Sequence, residues 1–236
     1  MRLLTLSKRL ALLGVVLLLA GPLGTRLGLF SFVVGFACFA MSAMCGLLAL
    51  VLSVVGGLRT GQWKRAGVVL AAALSLLAVP AAQIVGALGA PPIHDITTDT
   101  ADPPAFVAAL PLRAAANAVN PPEYGGAEVA AQQHRAFPDL QPLAMTMLPH
   151  MAFDRVLAEV QALGWKISAA EPAEGRIEAV DTTMFFGFKD DVVIRLRAVQ
   201  GGTRVDVRSK SRVGLGDTGT NAMRIRRLLS ALRAAR

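Results

Sequence analysis

No acidic residue occurs in the first 90 positions, and three uncharged apolar stretches run through them, at 10–24, 27–58 and 66–90. Nothing else in the chain restricts its fold as strongly. A helix needs about 20 apolar residues to cross a bilayer, and the second and third stretches are 32 and 25 residues long. The first has 15 residues and spans if Arg9 and Arg26 snorkel to the two interfaces. A secretory signal peptide is the alternative for it. Arg2, Lys8 and Arg9 supply a positive start, but no A-x-A cleavage site follows. A hydrophobic content of 54% and a mean hydropathy of +0.52 fit a chain partly embedded in a membrane.

The basic residues set an orientation. Three precede the first stretch (Arg2, Lys8, Arg9), one follows it (Arg26), three follow the second (Arg59, Lys64, Arg65), and after the third none occurs until Arg113. By the positive-inside rule this order gives inside, outside, inside, outside. We expect a multi-pass protein of a bacterial inner membrane, with a cytoplasmic N-terminus and a periplasmic C-terminal domain. Trp63 is placed to anchor at an interface. The second and third stretches contain no ionisable residue, which argues against an ion pathway and favours a plain anchor.

The net charge of +8 is unevenly distributed. Residues 91–203 carry eight basic and fourteen acidic groups, and residues 204–236 carry nine basic and two acidic. The basicity belongs to membrane flanks and one C-terminal element, and aromatics are sparse, so nucleic acid is not an expected partner. Cys38 and Cys45 stand seven apart in one apolar run and read as packing residues. No cofactor is implied.

Residues 91–145 read as a Pro-rich connecting segment. PPIHDITTDTADPPAF has no helical or strand period, and NPPEYGG reads as a turn. Between them AFVAALPLRAAANAV is apolar but broken by Pro111, as in a short docking segment. His94, Asp95, Asp99 and Asp102 have oxygen-rich spacing without the glycine and terminal Glu of a calcium loop, so we expect linker rather than metal site.

The second domain is expected over 146–236. Phe153, Val156, Leu157, Val160 and Leu163 recur at helical spacing before Gly164. Four strand-like runs follow, at 165–169, 176–186, 191–199 and 203–213, the last two joined at Gly201-Gly202. A helix over about 219–235 closes the chain, with Ala222, Ile225, Leu229 and Leu232 on one stripe. The fold class expected is therefore three transmembrane helices plus a small α+β domain, an antiparallel four-stranded sheet packed by two helices. Glu178, Arg195, Arg197, Arg204, Asp206 and Arg208 alternate out of the apolar face and are expected to form a solvated ladder.

Gly214, Gly216 and Gly219 spell G-x-G-x-x-G. A dinucleotide fingerprint needs a following helix, a second parallel strand and an acidic residue about 20 positions on. Only seventeen residues follow Gly219, none of them acidic. The glycines read as a turn, with Asp217, Thr218 or Thr220 capping the last helix.

GRIEA (175–179), FKDDVVIR (188–195), RVDVRSKSRVG (204–214) and D-x-G-x-N-x-x-R-I (217–225) resemble the bacterial family called domain of unknown function 1499. The resemblance covers roughly 100–236, and the three-span preface looks like that family's membrane-anchored subgroup. Soluble members often carry a cysteine near the domain start, where this chain has Pro121, Pro122, Glu123 and Tyr124. The resemblance implies an envelope location and no established activity.

Three functions follow as expectations. The first is a non-catalytic domain that binds a partner or scaffolds in the cell envelope. It has the lipid bilayer as one partner and an envelope protein or anionic lipid as another. The second is an anion-binding module for lipid head groups or cell-wall fragments. Its candidate residues are Arg208, Lys210, Arg212, Asp217, Asn221 and Arg224 around the start of the last helix. The third is a hydrolase using Asp190, Asp191 and Asp217, although turn chemistry accounts for the first two more simply. No nucleophile–base pair stands at motif spacing, so no catalytic residue is assigned.

Overall fold

A computed structural model of the chain describes residues 2–234. It divides into two compact units, Met1–Gly86 with Met184–Gly187, and Ala87–Thr183 with Phe188–Arg236.

The first unit contains α1 (Arg2–Arg26), α2 (Phe32–Thr60) and α3 (Trp63–Leu88). All three are long and apolar enough to cross a membrane. The short first stretch is thus extended at both ends into a 25-residue helix. Its seam with α2 is made of small residues. A Cβ added at Gly21 would stand 2.6 Å from the carbonyl oxygen of Gly35, and one at Gly14 would stand 3.1 Å from the Cβ of Cys45. On α2, Gly35, Ser42, Ala49 and Gly56 are buried at seven-residue spacing. Small side chains let the backbones approach closely, which drives helix association where lipid removes the hydrophobic contrast. Cys45 is buried in this seam as a free thiol, the packing role expected of it. Phe36 and Phe39 of α2 pack against the rings of Phe185 and Phe186.

The second unit is α+β, and its sheet has six strands rather than four. They are β1 (Asp95–Thr97), β2 (Leu143–Met145), β3 (Lys166–Glu171), β4 (Arg176–Thr182), β5 (Lys189–Val199) and β6 (Gly202–Ser211). The order is β1-β6-β5-β4-β3, with β2 also paired to β6, and every pairing is antiparallel. The two additional strands, β1 and β2, come from the stretch read as a linker. Each is three residues long, too short to show a period in sequence. They pair with successive parts of the same edge of β6.

One sheet face carries Ile177, Ala179, Val192, Ile194, Leu196, Val205 and Val207. Two helices cover it, α6 (Pro149–Ala162) and α7 (Thr220–Ala234), through Phe153, Val156, Val160, Ala222, Ile225 and Leu229. These are the helical stripes expected. The other face is not solvated. Residues 98–125, including the short helix α4 (Ala109–Ala115), lie over it, and Glu178, Asp191, Asp206, Arg208 and Lys210 are all buried. A further helix, α5 (Gly126–Ala136), leads on to β2.

Candidate functional site

Strand alternation sends every second side chain of β4, β5 and β6 to the covered face, where charges meet in a set of internal ion pairs. Asp95 on β1 sits opposite Lys210 in the register. Its carboxylate accepts two hydrogen bonds from Arg208, at 2.9 and 2.8 Å, and one from Lys210 at 2.8 Å. The same guanidinium donates to the carbonyls of Pro104 and Pro122 and lies over the ring of Phe106, 4.7 Å from its centroid. Lys210 also donates to the carbonyl of Glu123. Burial pulls the Lys210 amine below its ordinary range, against the opposing pull of Asp95.

Asp191 is held on two sides. Arg113 of α4 donates to it at 2.6 Å and Arg212 grips both of its oxygens. Arg113 and Arg212 reach further, to the carbonyls of Asn120 and Leu112. Glu178 has a different role. Its carboxylate accepts the backbone N–H groups of Val107, Ala108 and Ala109, at 3.0, 2.9 and 2.8 Å, and also pairs with Arg176. A carboxylate from the sheet thus satisfies the unpaired donors at the start of α4.

A fourth network lies on the α7 side. Arg224 donates to Asp181, Asp190, the hydroxyl of Ser209 and the side-chain oxygen of Asn221. Asn221 in turn donates to the carbonyl of His94 and the hydroxyl of Ser211. Burial raises the Asp190 carboxyl, and Arg224 offsets part of that rise.

The glycine-rich loop completes this network. Gly214 and Gly219 hold positive φ, at 97° and 82°, as the chain leaves an antiparallel strand for a helix. The side chain of Asp217 accepts the N–H groups of Gly219 and Asn221, the capping role expected of it. Burial raises its carboxyl against those two N–H bonds. The positive end of α7 therefore already faces an anion, the protein's own.

The six residues expected to bind an anion or partner fall into two groups. Arg208, Lys210 and Arg212 face the cover segment, whereas Asp217, Asn221 and Arg224 join at the start of α7. Arg208, Lys210, Arg212, Asn221 and Arg224 are all buried. The partners that sequence reasoning missed are Asp95, Arg113 and Asn120. They come from a stretch without periodicity, where the only signal was Arg113, a charged residue in an apolar run. Of the four spacing-selected ligands, Asp95 binds Arg208 and Lys210. Asp99 and Asp102 pair with arginines of the sheet, and the His94 ring lies on the carbonyl of Leu215. Among the described residues, no group of three or more His, Cys, Asp or Glu side chains is close enough to hold a metal ion.

Fold and site together define a chain with three span-length apolar helices and an α+β domain tied together by buried ion pairs. A family model described as a protein of unknown function, DUF1499, matches residues 95–232, and the chain belongs to that family. No curated protein matches the chain. The match begins at the first residue of β1, so the cover segment belongs to the family's domain. The motif residues Arg176, Glu178, Asp190, Asp191, Arg208, Lys210, Arg212, Asn221 and Arg224 lie in the ion-pair networks.

Proposed function

We propose that the three helices anchor the chain in a bacterial inner membrane, and that the α+β domain is a non-catalytic binding or scaffolding module on the periplasmic side of the envelope. The observation that carries the non-catalytic reading is the pairing of Asp190 and Asp191. Each is buried and bonded to arginine, Asp190 to Arg224 and Asp191 to Arg113 and Arg212. Carboxylates whose oxygens are engaged by arginine in this way support a structural role for both residues. The orientation rests on the Lys/Arg count of three, one, three and none along the connecting segments.

The test uses the full chain with Cys38→Ala and Cys45→Ala. A cysteine at Gln200→Cys, in the exposed β5–β6 turn, is expected to react with a membrane-impermeant maleimide in intact cells. A cysteine at Gln62→Cys, between α2 and α3, is expected to react only after lysis. The reverse pattern overturns the orientation. Capture of the full chain from native membranes then tests binding. Recovery of a stoichiometric envelope protein supports the module reading. Recovery of anionic lipid alone favours a head-group binder instead, and recovery of neither overturns binding.

A further inference from the structure

The two ends of the sheet differ in character. At one end lie the β3–β4 connection and the β5–β6 turn, with exposed Glu171, Glu174 and Gln200. Arg195, Arg197 and Arg204 sit near that end on Asp99, Asp102 and Asp206. At the other end lie the end of β4, the β6–α7 loop and the residues before Asn120. The backbone N–H of Asn120 bonds the carbonyl of Arg212, and its side chain bonds those of Ser211 and Gly214. The last two of these segments present a large apolar side chain to solvent. Leu215 is 87% exposed and Val119 72%. Isolated exposed apolar residues are ordinary, but these two stand on neighbouring segments that Asn120 ties together at one end of the sheet.

The chain itself indicates what covers them. Helix α3 ends at Leu88 and β1 begins at Asp95, at this same end of the sheet, where Asp95 faces Lys210. Six residues separate the two, a reach of about 20 Å at full extension. The contact with the β6–α7 loop comes sooner. Gly216 lies against Pro91 and Pro92, so close that a Cβ added to it would stand 3.4 Å from the Cα of Pro92. Pro91 is three residues beyond α3, about 10 Å of chain. A polar headgroup layer is about 5–8 Å thick on each side of the hydrocarbon core. Leu215 is thus tethered within reach of the acyl boundary of the membrane that holds α3.

We propose that the bilayer surface itself occupies this end of the domain. In this arrangement Leu215 and Val119 insert into the headgroup–acyl boundary, while the charged end, with Glu171, Glu174 and Gln200, points away into the aqueous space. Apolar side chains buried to this depth bind reversibly and in proportion to their area. The tether adds affinity by holding them at high local concentration. The inference rests on the anchoring reading and holds for either orientation of the chain.

The test places single spin labels on the full chain, with Cys38→Ala and Cys45→Ala, in nanodiscs of phosphatidylcholine and phosphatidylglycerol. Labels at Leu215→Cys and Val119→Cys probe the docking end, Gln200→Cys serves as aqueous reference, and Leu48→Cys on α2 reports anchoring. We expect an oxygen-to-nickel-chelate collision ratio at Leu215→Cys and Val119→Cys several-fold above that at Gln200→Cys. Ratios equal to that of Gln200→Cys, with Leu48→Cys lipid-exposed, overturn docking and leave anchoring standing. If Leu48→Cys is aqueous as well, both readings fall together. Labels aqueous in nanodiscs but immobilised in native membranes would also overturn the proposal, because a protein, not lipid, would then cover this end.

Discussion

Asp191 shows at the residue scale why this domain carries charge in its interior. Its carboxylate is fully buried and touches two guanidinium groups, Arg113 from the cover and Arg212 from the sheet. Breaking a buried pair by removing one partner costs about 3–5 kcal/mol, because the charge left behind is uncompensated. Asp191→Asn is expected to lower the stability of the domain by that order, read as the midpoint of thermal unfolding of the full chain in nanodiscs. Asp102→Asn, at the exposed rim of the Asp99 cluster, is expected to change it by no more than about 0.5 kcal/mol. An unchanged midpoint for Asp191→Asn would show that Asp191 is available for another role and reopen the carboxylate-hydrolase reading. The same logic applies to charge reversal at Arg212 or Arg224, which would leave Asp191 or Asp190 facing a like charge in the interior. The alternation of β4, β5 and β6 made it legible which residues share a face with Asp191. That this face is covered was not legible, because the cover is an irregular segment without a period of its own, held down largely by contacts with the sheet.

Helix α7 shows at the element scale how the domain edge is tied down. Its inner stripe is core, and on its outer side Arg226 grips both oxygens of Asp139, just before β2, while lying over the ring of Phe137. The Arg226 bond is the main cause holding the Asp139 carboxyl below its ordinary value of 3.8. Asp99 also lies below that value, because the N–H of Asp102 and the charges of Arg204 and Arg195 outweigh its burial. A carboxyl whose folded value is depressed stabilises the fold above its unfolded value, and that contribution is lost as pH falls through the folded one. Arg226→Ala is therefore expected to destabilise the domain at pH 7 by at most about 1 kcal/mol, since both partners are half exposed and screened by salt. The difference from the parent should disappear as pH falls below 3.8 in a series of unfolding midpoints taken from pH 7 downward. A difference that persists unchanged in acid would assign the effect to the Phe137 contact instead. Elements with a clear period were legible in the sequence: three span-length helices, α6, α7 and strands β3 to β6. Helix α4 was not, because it is seven residues long and carries Pro111. That proline sits within the first turn, where no backbone donor is lost. Its start is fixed from outside the element, by Glu178.

At the scale of the molecule, the domain consists of two sequence regions that ion pairs join to each other. Residues 95–145 bring β1, β2, α4, α5 and the side chains of Asp95, Asp99, Arg113 and Asn120. Residues 146–236 bring the long strands, α6, α7 and the partners Asp191, Arg204, Arg208, Lys210 and Arg212. The second region contains the long strands of the apolar face and both of its covering helices, which is why its periodicity reads as a complete domain, whereas Ile96, Leu143 and Met145 of the first region complete that core. Separated from the first, it would expose Val193 and the edge of β6. It would also leave Arg208 and Lys210 without Asp95, and Asp191 without Arg113. A domain's total stability is only about 5–15 kcal/mol, so losing these ion pairs together with the core contacts of Ile96, Leu143 and Met145 is expected to prevent folding. A fragment of residues 91–236 is expected to unfold cooperatively with dispersed amide resonances. A fragment of residues 146–236 is expected to show neither a cooperative transition nor dispersed resonances. Cooperative folding of the shorter fragment would mean that the apolar face alone specifies the domain, and that residues 95–145 form a lid free to leave the charged face.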